Sequence, residues 1–264
     1  MQDAKFYLVG TTQKLPPSWL SKGVNLYSSL DLENWSFEGE IFSAAQVHGY
    51  AQGPLRLERP KLLHNALTQK YVLWFHLDDV RFQLGMVGVA TSPTVNGTYE
   101  FASGWRPDGQ RSLDMTIFSP QGEAAAESVS SHALTSAPPT YLARSVDNAY
   151  SGFSRLTDDY LNTTASGIVS RGPRCEGMAL WSEAGGIDML CSHLTGWHAN
   201  PALLARTSQS RLEGATWRVL GNPTSKPYSL SVPHVLNAPI PRATVLVAAC
   251  ISLMTLILLD ACRV

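Results

Sequence analysis

The chain has 264 residues, of which 44% are hydrophobic, and this content excludes a wholly disordered protein. Twenty Lys and Arg residues are balanced by 21 Asp and Glu residues, for a net charge of −1 without a basic stripe or tail, so a nucleic-acid binder is not expected. The 20 Gly and 16 Pro residues indicate many turns, and the seven Trp, nine Tyr and eight Phe residues suit strands and sugar-binding surfaces.

The beginning of the chain and its cysteines bear on the compartment. Met1–Gly10 lacks the basic and apolar regions of a signal peptide. Cys175 and Cys191 flank a predicted hairpin, and a disulfide between them is one option that spacing alone does not decide. Three N-x-[ST] sequons, which suit a secreted protein, lie at Asn34, Asn96 and Asn162. These features leave an extracellular or a membrane-anchored protein as the expectation.

A repeat runs along the chain. Four segments share an apolar start, a Ser or Thr, a polar turn, an apolar or aromatic position and a late Gly; they are Leu26–Phe42, Val89–Trp105, Gly152–Val169 and Leu204–Asn222. Their marker positions recur every 55–65 residues or so and are Trp35, Tyr99, Asn162 and Trp217. Short strands, turns and such a period predict the four-stranded blades of an all-β propeller. A β-sandwich is the alternative, but it does not explain the repeat.

Alternating apolar runs between these segments predict paired strands. Lys70–Leu77 is expected to pair with Leu84–Ala90, and Gly177–Trp181 with Ile187–Cys191. The Ala-, Ser- and Pro-rich stretch 121–139 interrupts the pattern and is expected to be an inserted, poorly ordered loop.

Three acidic residues stand beside apolar strand runs at nearly the blade spacing. Glu58, Asp114 and Glu176 are 56 and 62 residues apart. Equivalent positions on successive blades would bring the three carboxylates together, and their like charge and desolvation would raise the pKa of at least one. Such a set suits glycoside hydrolysis, which needs a protonated acid and a second carboxylate. The alternative is ordinary ion pairing at strand ends with the neighbouring arginines, which are Arg59, Arg111 and Arg174.

Three motifs carry a resemblance to a known family. They are E-R-P-K at Glu58–Lys61, S-x-D-M-T at Ser112–Thr116 and T-G-W-x-x-N-P at Thr195–Pro201. With them, most of residues 5–223 resembles glycoside hydrolase family 43, and its exo-β-1,3-galactanase-like branch in particular. The resemblance implies a five-bladed β-propeller catalytic domain over residues 1–225 and inverting hydrolysis of β-1,3-galactan or an arabinogalactan-like polysaccharide, without a cofactor or a metal.

The resemblance also implies roles for individual residues. Glu176 matches the general acid, Asp114 the carboxylate that orients it, and Glu58 a carboxylate that contacts the sugar. The residues that match substrate-binding positions are Phe82, Asn148, Thr195, Trp197 and Asn200. Residue 197 would supply a flat aromatic ring for stacking on a galactose-like ring.

Two elements of the family pattern are not found in the sequence. A strand that precedes the first matched segment in related chains and the fifth blade are both missing, so about four blades are expected. Because these elements carry the catalytic base in the family, the base is unassigned, with Glu58 as the nearest candidate. The alternative function is therefore a carbohydrate-binding pseudoenzyme or an inactive truncated fragment that lacks the general base.

The end of the chain changes in composition. Residues 226–242 are expected to form a linker, and Ala243–Leu259 is a run of 17 residues without a charge. That length is at the lower limit for a transmembrane segment, so a membrane anchor or a cleaved lipid-anchor signal is predicted. The alternative is a strand that packs within the fold.

Overall fold

The structure, a computed structural model, describes residues 5–13, 20–47, 49, 54–120, 139–195, 198, 200–223 and 254–257. The chain divides into two compact units. The first contains the described residues up to Arg111 together with Met254–Ile257, and the second begins at Ser112.

The described residues form sixteen strands and two single-turn 3-10 helices, Ala44–Gln46 and Pro107–Gly109. In chain order the strands are β1 Phe6–Gln13, β2 Ser21–Ser29, β3 Ser36–Ser43, β4 Leu55–Asn65, β5 Lys70–Asp79, β6 Met86–Ser92, β7 Glu100–Trp105, β8 Ser112–Phe118, β9 Tyr141–Val146, β10 Tyr150–Leu156, β11 Thr163–Gly172, β12 Glu176–Glu183, β13 Gly186–Ser192, β14 Ala202–Thr207, β15 Arg218–Gly221 and β16 Met254–Ile257.

Each unit contains two antiparallel sheets of four strands. The first unit has the orders β16-β1-β2-β3 and β4-β5-β6-β7, and the second has β8-β9-β10-β11 and β12-β13-β14-β15. Three of the sheets are therefore simple meanders, and the fourth differs only in that its first strand comes from the end of the chain. This confirms the prediction of an all-β fold made of blade-like sheets.

The predicted repeat corresponds to one part of each sheet. Each of the four similar segments covers the last two strands of a sheet and the loop between them, and its marker residue lies in that loop. Both predicted strand pairs are also confirmed, as β5 with β6 and β12 with β13. The first strand of each of these hairpins is largely buried, which gives every segment its apolar start.

Each unit has its own hydrophobic core. In the first unit, β5 is buried along most of its length, which explains its continuous apolar run, and Phe75 packs on Phe42 with ring centroids 5.2 Å apart. In the second unit, Phe153 stacks on Trp217 at 5.1 Å. Burial of these large rings removes apolar surface from water and supplies the main stabilisation of each unit.

Four residues of the predicted membrane segment are described, and they form a strand. Met254–Ile257 pairs antiparallel with β1 along Tyr7–Gly10. The strand interpretation of the tail therefore agrees with the structure at these positions. In the described part of the chain no helix has the length and apolar character to cross a membrane.

Other predictions fall on residues outside the described ranges. The inserted loop, over 121–138, and the linker 226–242 are not described, nor is the rest of the tail apart from β16. The described ranges contain four sheets. That the fifth blade is missing stays a prediction.

The structure decides the question of the disulfide. Cys175 and Cys191 are bonded, with their Cα atoms 5.9 Å apart, and both are buried in the core of the second unit. The bond joins the residue just before β12 to β13.

We predict that removing this disulfide lowers the free energy of unfolding by about 3 kcal/mol, because a closed loop of this size restricts the unfolded chain by that amount. The measurement is urea unfolding of the oxidised full chain beside the double variant C175A/C191A, with thiol titration to establish the oxidation state. An equal stability of the two proteins would contradict the prediction.

Candidate functional site

Each of the three candidate carboxylates lies in or beside a β-bulge near the beginning of the first strand of its sheet. In β4 the register shifts between Glu58 and Lys61, in β12 between Glu176 and Ala179, and in β8 on either side of Asp114. In each case two residues of the first strand lie opposite one residue of the second. A bulge re-aims side chains and bends the strand, and bulges are frequent beside active sites. Glu58 and Glu176 occupy the same position, directly before the bulge, whereas Asp114 lies within its bulge, two residues after the corresponding Ser112.

In the second unit, Asp114 and the strand that carries Glu176 are in direct contact. The backbone N–H of Gly177 donates to Asp114 Oδ2 at 3.0 Å, which joins two different sheets. Gly177 has φ +61°, a left-handed conformation that glycine adopts without steric cost. The bond fixes the Asp114 carboxylate at the residue that follows Glu176.

The surroundings of Glu176 are rigid. The disulfide at Cys175 precedes it directly, and the Ser192 hydroxyl donates to the Glu176 carbonyl at 3.4 Å. Cys175 Sγ also lies 3.3 Å from the Ser151 hydroxyl, whose oxygen is 2.8 Å from the Pro173 carbonyl. The backbone at the beginning of β12 is thus held to both β10 and β13.

In the first unit, Glu58 belongs to a square of four charged side chains on one face of the β4–β5 pair. Glu58 lies opposite His76, and Arg56 lies opposite Asp78. His76 Nε2 is 3.0 Å from Asp78 Oδ2, and His76 Nδ1 is 3.4 Å from Glu58 Oε2. A third side of the square is longer, with Arg56 Nη1 at 3.9 Å from Glu58 Oε1.

Burial makes this square electrostatically significant. The side chains of His76 and Asp78 are 2% and 0% exposed, and that of Glu58 is 17% exposed. Burial alone would lower the pKa of His76, but the hydrogen bonds and charges of Asp78 and Glu58 outweigh it and raise the pKa to about 9. Burial likewise opposes ionisation of Asp78, but His76 and the backbone N–H groups of Gly85 and Asp79 lower its pKa overall.

Phe82, a predicted substrate-binding residue, lies beside the same square. It has φ +55° and is in the β5–β6 turn, with 40% of its surface exposed. The Arg56 guanidinium lies over its ring at 4.3 Å, and the His76 ring stacks on it at 6.5 Å. An exposed aromatic ring near a carboxylate is an arrangement that sugar-binding sites use.

The remaining predicted residues lie in loops of the second unit. Asn148 is exposed in the β9–β10 turn with φ +56°, and its carbonyl accepts from Arg174 Nε at 2.7 Å. Asn200 is buried. Its Nδ2 donates to the His193 carbonyl and, at 2.6 Å, to the Thr195 hydroxyl, and its Oδ1 accepts from the His193 N–H. Residue 197 lies outside the described residues. The substrate-binding roles of all these residues stay predictions.

The arginines next in sequence to the carboxylates have other contacts as well. Arg111 donates from Nη2 to the Phe82 carbonyl, and Arg174 donates to the Asn148 carbonyl. The ion pair at Glu58 involves Arg56, two residues before it, because alternate residues of a strand share a face. Within the described ranges no cluster of three His, Cys, Asp or Glu side chains is arranged to hold a metal ion.

The sequence did not reveal that His76 pairs with Glu58. The signal for this residue was the H-L-D spacing, which places His76 and Asp78 on one face of a strand. The register with β4, which brings both opposite Glu58 and Arg56, could not be read from the sequence because the bulge at Arg59 and Pro60 sets it.

The chain is similar to solved structures of glycoside hydrolases. No protein-family model and no curated protein sequence matches the chain. A GH43 β-1,3-galactosidase superposes with a TM-score of 0.68 and 25% identity over 84% of this chain and 44% of that one. The exo-β-1,3-galactanase of Phanerochaete chrysosporium, solved with β-1,3-galactotriose, gives a TM-score of 0.69 and 28% identity over 83% of this chain and 47% of that one.

The chain shares the fold of these GH43 enzymes. A second GH43 β-1,3-galactosidase, solved with galactodeoxynojirimycin, has a TM-score of 0.68 and 26% identity over 84% of this chain and 74% of that one. The chain spans less than half of the length of the first two structures. The likeness supports the expected kinship with family 43 at the level of the fold.

The His76 pKa predicts a pH-dependent stability. His76 binds its proton more tightly in the folded chain, where its pKa is about 9, than in the unfolded chain, where it is 6.5. The resulting stabilisation is complete below pH 6.5 and is lost as the pH rises through 9. By linkage, we expect the wild type to lose about 3 kcal/mol more of its free energy of unfolding between pH 6 and pH 10 than H76Q loses. Urea unfolding at both pH values measures this, and equal losses would contradict it.

Proposed function

We propose that the protein is a glycoside hydrolase that cleaves β-1,3-linked galactan with inversion of configuration. The single observation that carries the proposal is the contact between Asp114 and the backbone beside Glu176, in a chain with the fold of GH43 β-1,3-galactosidases. One of these relatives is solved with β-1,3-galactotriose, which supports a galactose-containing substrate.

Glu176 donates a proton to the leaving oxygen in this proposal, and Asp114 orients it. The bulge at Gly177 turns the beginning of β12 away from regular pairing, and the N–H bond to Asp114 anchors that turn. The disulfide next to Glu176 limits movement of the backbone. The rate enhancement from a general acid depends on its precise placement, because the acid transfers its proton only from hydrogen-bond distance to the reacting oxygen.

Glu58 contacts the sugar in the proposal. Its carboxylate is 17% exposed and is held from one side by His76 and Arg56, so its remaining lone pairs can accept hydrogen bonds from sugar hydroxyls. Phe82 supplies an apolar ring nearby.

A second candidate function is sugar binding without hydrolysis. The observation in its favour is the composition of β16, which occupies the position in its sheet that β4, β8 and β12 occupy in theirs. Those three strands each contain a candidate carboxylate, whereas β16 reads Met-Thr-Leu-Ile, without an acid or amide that could serve as a base.

We predict that E176Q lowers the rate of reducing-sugar release from β-1,3-galactan by about 10²–10⁴-fold, the usual contribution of a general acid. The matched control is E183Q, because Glu183 is exposed at the other end of the same strand. The first product observed by ¹H NMR should be α-galactose, as inversion requires.

Each outcome of this experiment separates the two candidates. Activity in the wild type and in E183Q but not in E176Q supports hydrolysis with Glu176 as the acid. A folded wild type that binds β-1,3-galactobiose in calorimetry but releases no sugar supports the binding function. Equal activity in E176Q and the wild type would overturn the assignment of the acid.

A further inference from the structure

Opposite charges meet along three edges of the charge square of the first unit when His76 is protonated, and these edges are Arg56–Glu58, Glu58–His76 and His76–Asp78. Arg56 and Glu58 alternate along β4, and His76 and Asp78 alternate along β5. Arg56 and His76 are then the cations on one diagonal, and Glu58 and Asp78 are the anions on the other. A neutral imidazole would leave two carboxylates and one cation in a largely buried place, which is electrostatically unfavourable.

The position of the imidazole also favours the charged ring. Both ring nitrogens lie near a carboxylate oxygen, Nε2 at 3.0 Å from Asp78 and Nδ1 at 3.4 Å from Glu58. The first contact is a hydrogen bond, whereas Nδ1 has no hydrogen-bond partner among the described residues and is within ion-pair distance of Glu58 only. A neutral ring carries one N–H and one lone pair, so either tautomer would place a lone pair near a carboxylate, and the charged ring avoids this.

The other groups around His76 do not compete for these protons. Glu58 and Arg56 face it from β4, Asp78 comes from β5, and the Phe82 ring covers it from the β5–β6 turn. Its partner on β6 is Val87, which carries no charge.

We propose that His76 is a positioning residue which, as an imidazolium, holds the Glu58 carboxylate directed for sugar binding. The proposal rests on the proposed function of the Glu58 region. Asp78 is the anchor of the arrangement, because it is fully buried and its Oδ1 accepts from two backbone N–H groups. His76 transmits that fixed position across the strand pair to Glu58, which is the member of the square nearest to solvent.

The first test reads the charge of His76 without replacing it. Ring-carbon NMR of the full chain should show His76 protonated at pH 7 and titrating near pH 9, and E58Q should lower its pKa. A neutral His76 at pH 7, or a pKa that E58Q leaves unchanged, would overturn the proposal. This result does not depend on any hydrolytic activity or on the folding of a His76 variant.

The second test reads the position of Glu58. By calorimetry at pH 7, H76Q should bind β-1,3-galactobiose about tenfold more weakly than the wild type, the typical loss for one charge-assisted partner. His64, which lies on β4 against Tyr71 at 4.8 Å, provides the control H64Q, whose affinity should equal that of the wild type. Wild-type affinity should fall as the pH rises through 9, and the affinity of H76Q should not.

A purely structural His76 would give another pattern. H76Q would then have a lower melting temperature with unchanged affinity and pH profile, which would overturn the positioning role. A wild type that binds no galactobiose would remove the proposed function, and the ring titration would still decide the charge of His76.

A second inference comes from the sequons and is independent of the site. Asn96 lies in the β6–β7 loop and Asn162 in the β10–β11 loop, and both are exposed. These loops are equivalent, since each joins the last two strands of a meander sheet. Asn34 lies in the corresponding β2–β3 loop, but its side-chain amide already donates to Asp31 at 2.7 Å, so we expect no glycan there.

The register of the strands separates these loops from the candidate carboxylates. Glu58 pairs with His76 on β5, which in turn pairs with Val87 near the beginning of β6. The sequon loop follows Ser92, at the other end of β6. At about 3.3 Å per residue, the two are roughly 17 Å apart along the strand direction. In the third sheet the row next to Asp114 crosses β10 at Gly152, and the loop follows Leu156.

We infer that Asn96 and Asn162 are N-glycosylated and that the glycans lie at the ends of their sheets opposite the carboxylates. The buried disulfide supports an oxidising compartment, where this modification takes place. In the transfer, the Asn amide nitrogen forms a bond to the first sugar of a lipid-diphosphate-linked oligosaccharide, loses a proton, and displaces the lipid diphosphate.

The test is glycopeptide mass spectrometry of the full chain secreted from a eukaryotic host behind an added leader. T98A and T164A should each remove one glycan, and the matched controls T98S and T164S should retain it, because Ser preserves the sequon. Unmodified amides at both positions in the secreted wild type would overturn the inference. Enzymatic removal of the glycans should leave galactobiose affinity unchanged, and a changed affinity would overturn their distal placement.

Discussion

A one-residue bulge at the beginning of a strand determines where each candidate carboxylate lies. A regular strand buried on both faces has no place for an ionised side chain, because every residue points into a packed layer. At the bulges, two residues of β4, β8 and β12 leave the regular pairing, and their side chains can point elsewhere. The regular alternation of side chains resumes after each bulge. The local sequence accepts the distortion: Pro60 needs no N–H partner there, and Gly177 takes its left-handed conformation without strain. Arg59 adopts φ +53° at a cost of about 1 kcal/mol.

The two units satisfy their carboxylates by different means. In the second unit a backbone N–H holds Asp114, which adds no titratable partner and ties the carboxylate to the strand of Glu176. In the first unit Glu58 is held by side-chain cations, one of them an imidazole. A backbone N–H keeps its proton at every pH, whereas an imidazolium is charged only while it keeps its proton. The contact between His76 and Glu58 is therefore expected to weaken as the pH rises through 9, the pKa of His76.

Much of this could be predicted from the sequence, because it depends on local patterns. The hairpins that follow each pair of buried strands revealed the repeat, and the spacing of Glu58, Asp114 and Glu176 placed all three in the first strands of their sheets beside a bulge. The contacts that give those carboxylates their properties are non-local. The Gly177–Asp114 bond joins residues 63 apart, and the pairing of β16 with β1 joins the two ends of the chain. An apolar run such as 243–259 satisfies a bilayer or a buried strand equally well, so composition could not separate these states.

The first strand of the first sheet differs from those of the other three sheets. In the other three sheets that strand contains a candidate carboxylate, but the first sheet takes its first strand from the tail, with the sequence Met-Thr-Leu-Ile. That strand pairs with β1 and supplies it with a neighbour in the sheet. The charge of Glu58 is compensated by His76 and Arg56, and a carboxylate compensated in this way still accepts hydroxyl hydrogen bonds. In the proposed function, Glu58 therefore has the role of a sugar contact, and proton transfer is assigned to Glu176.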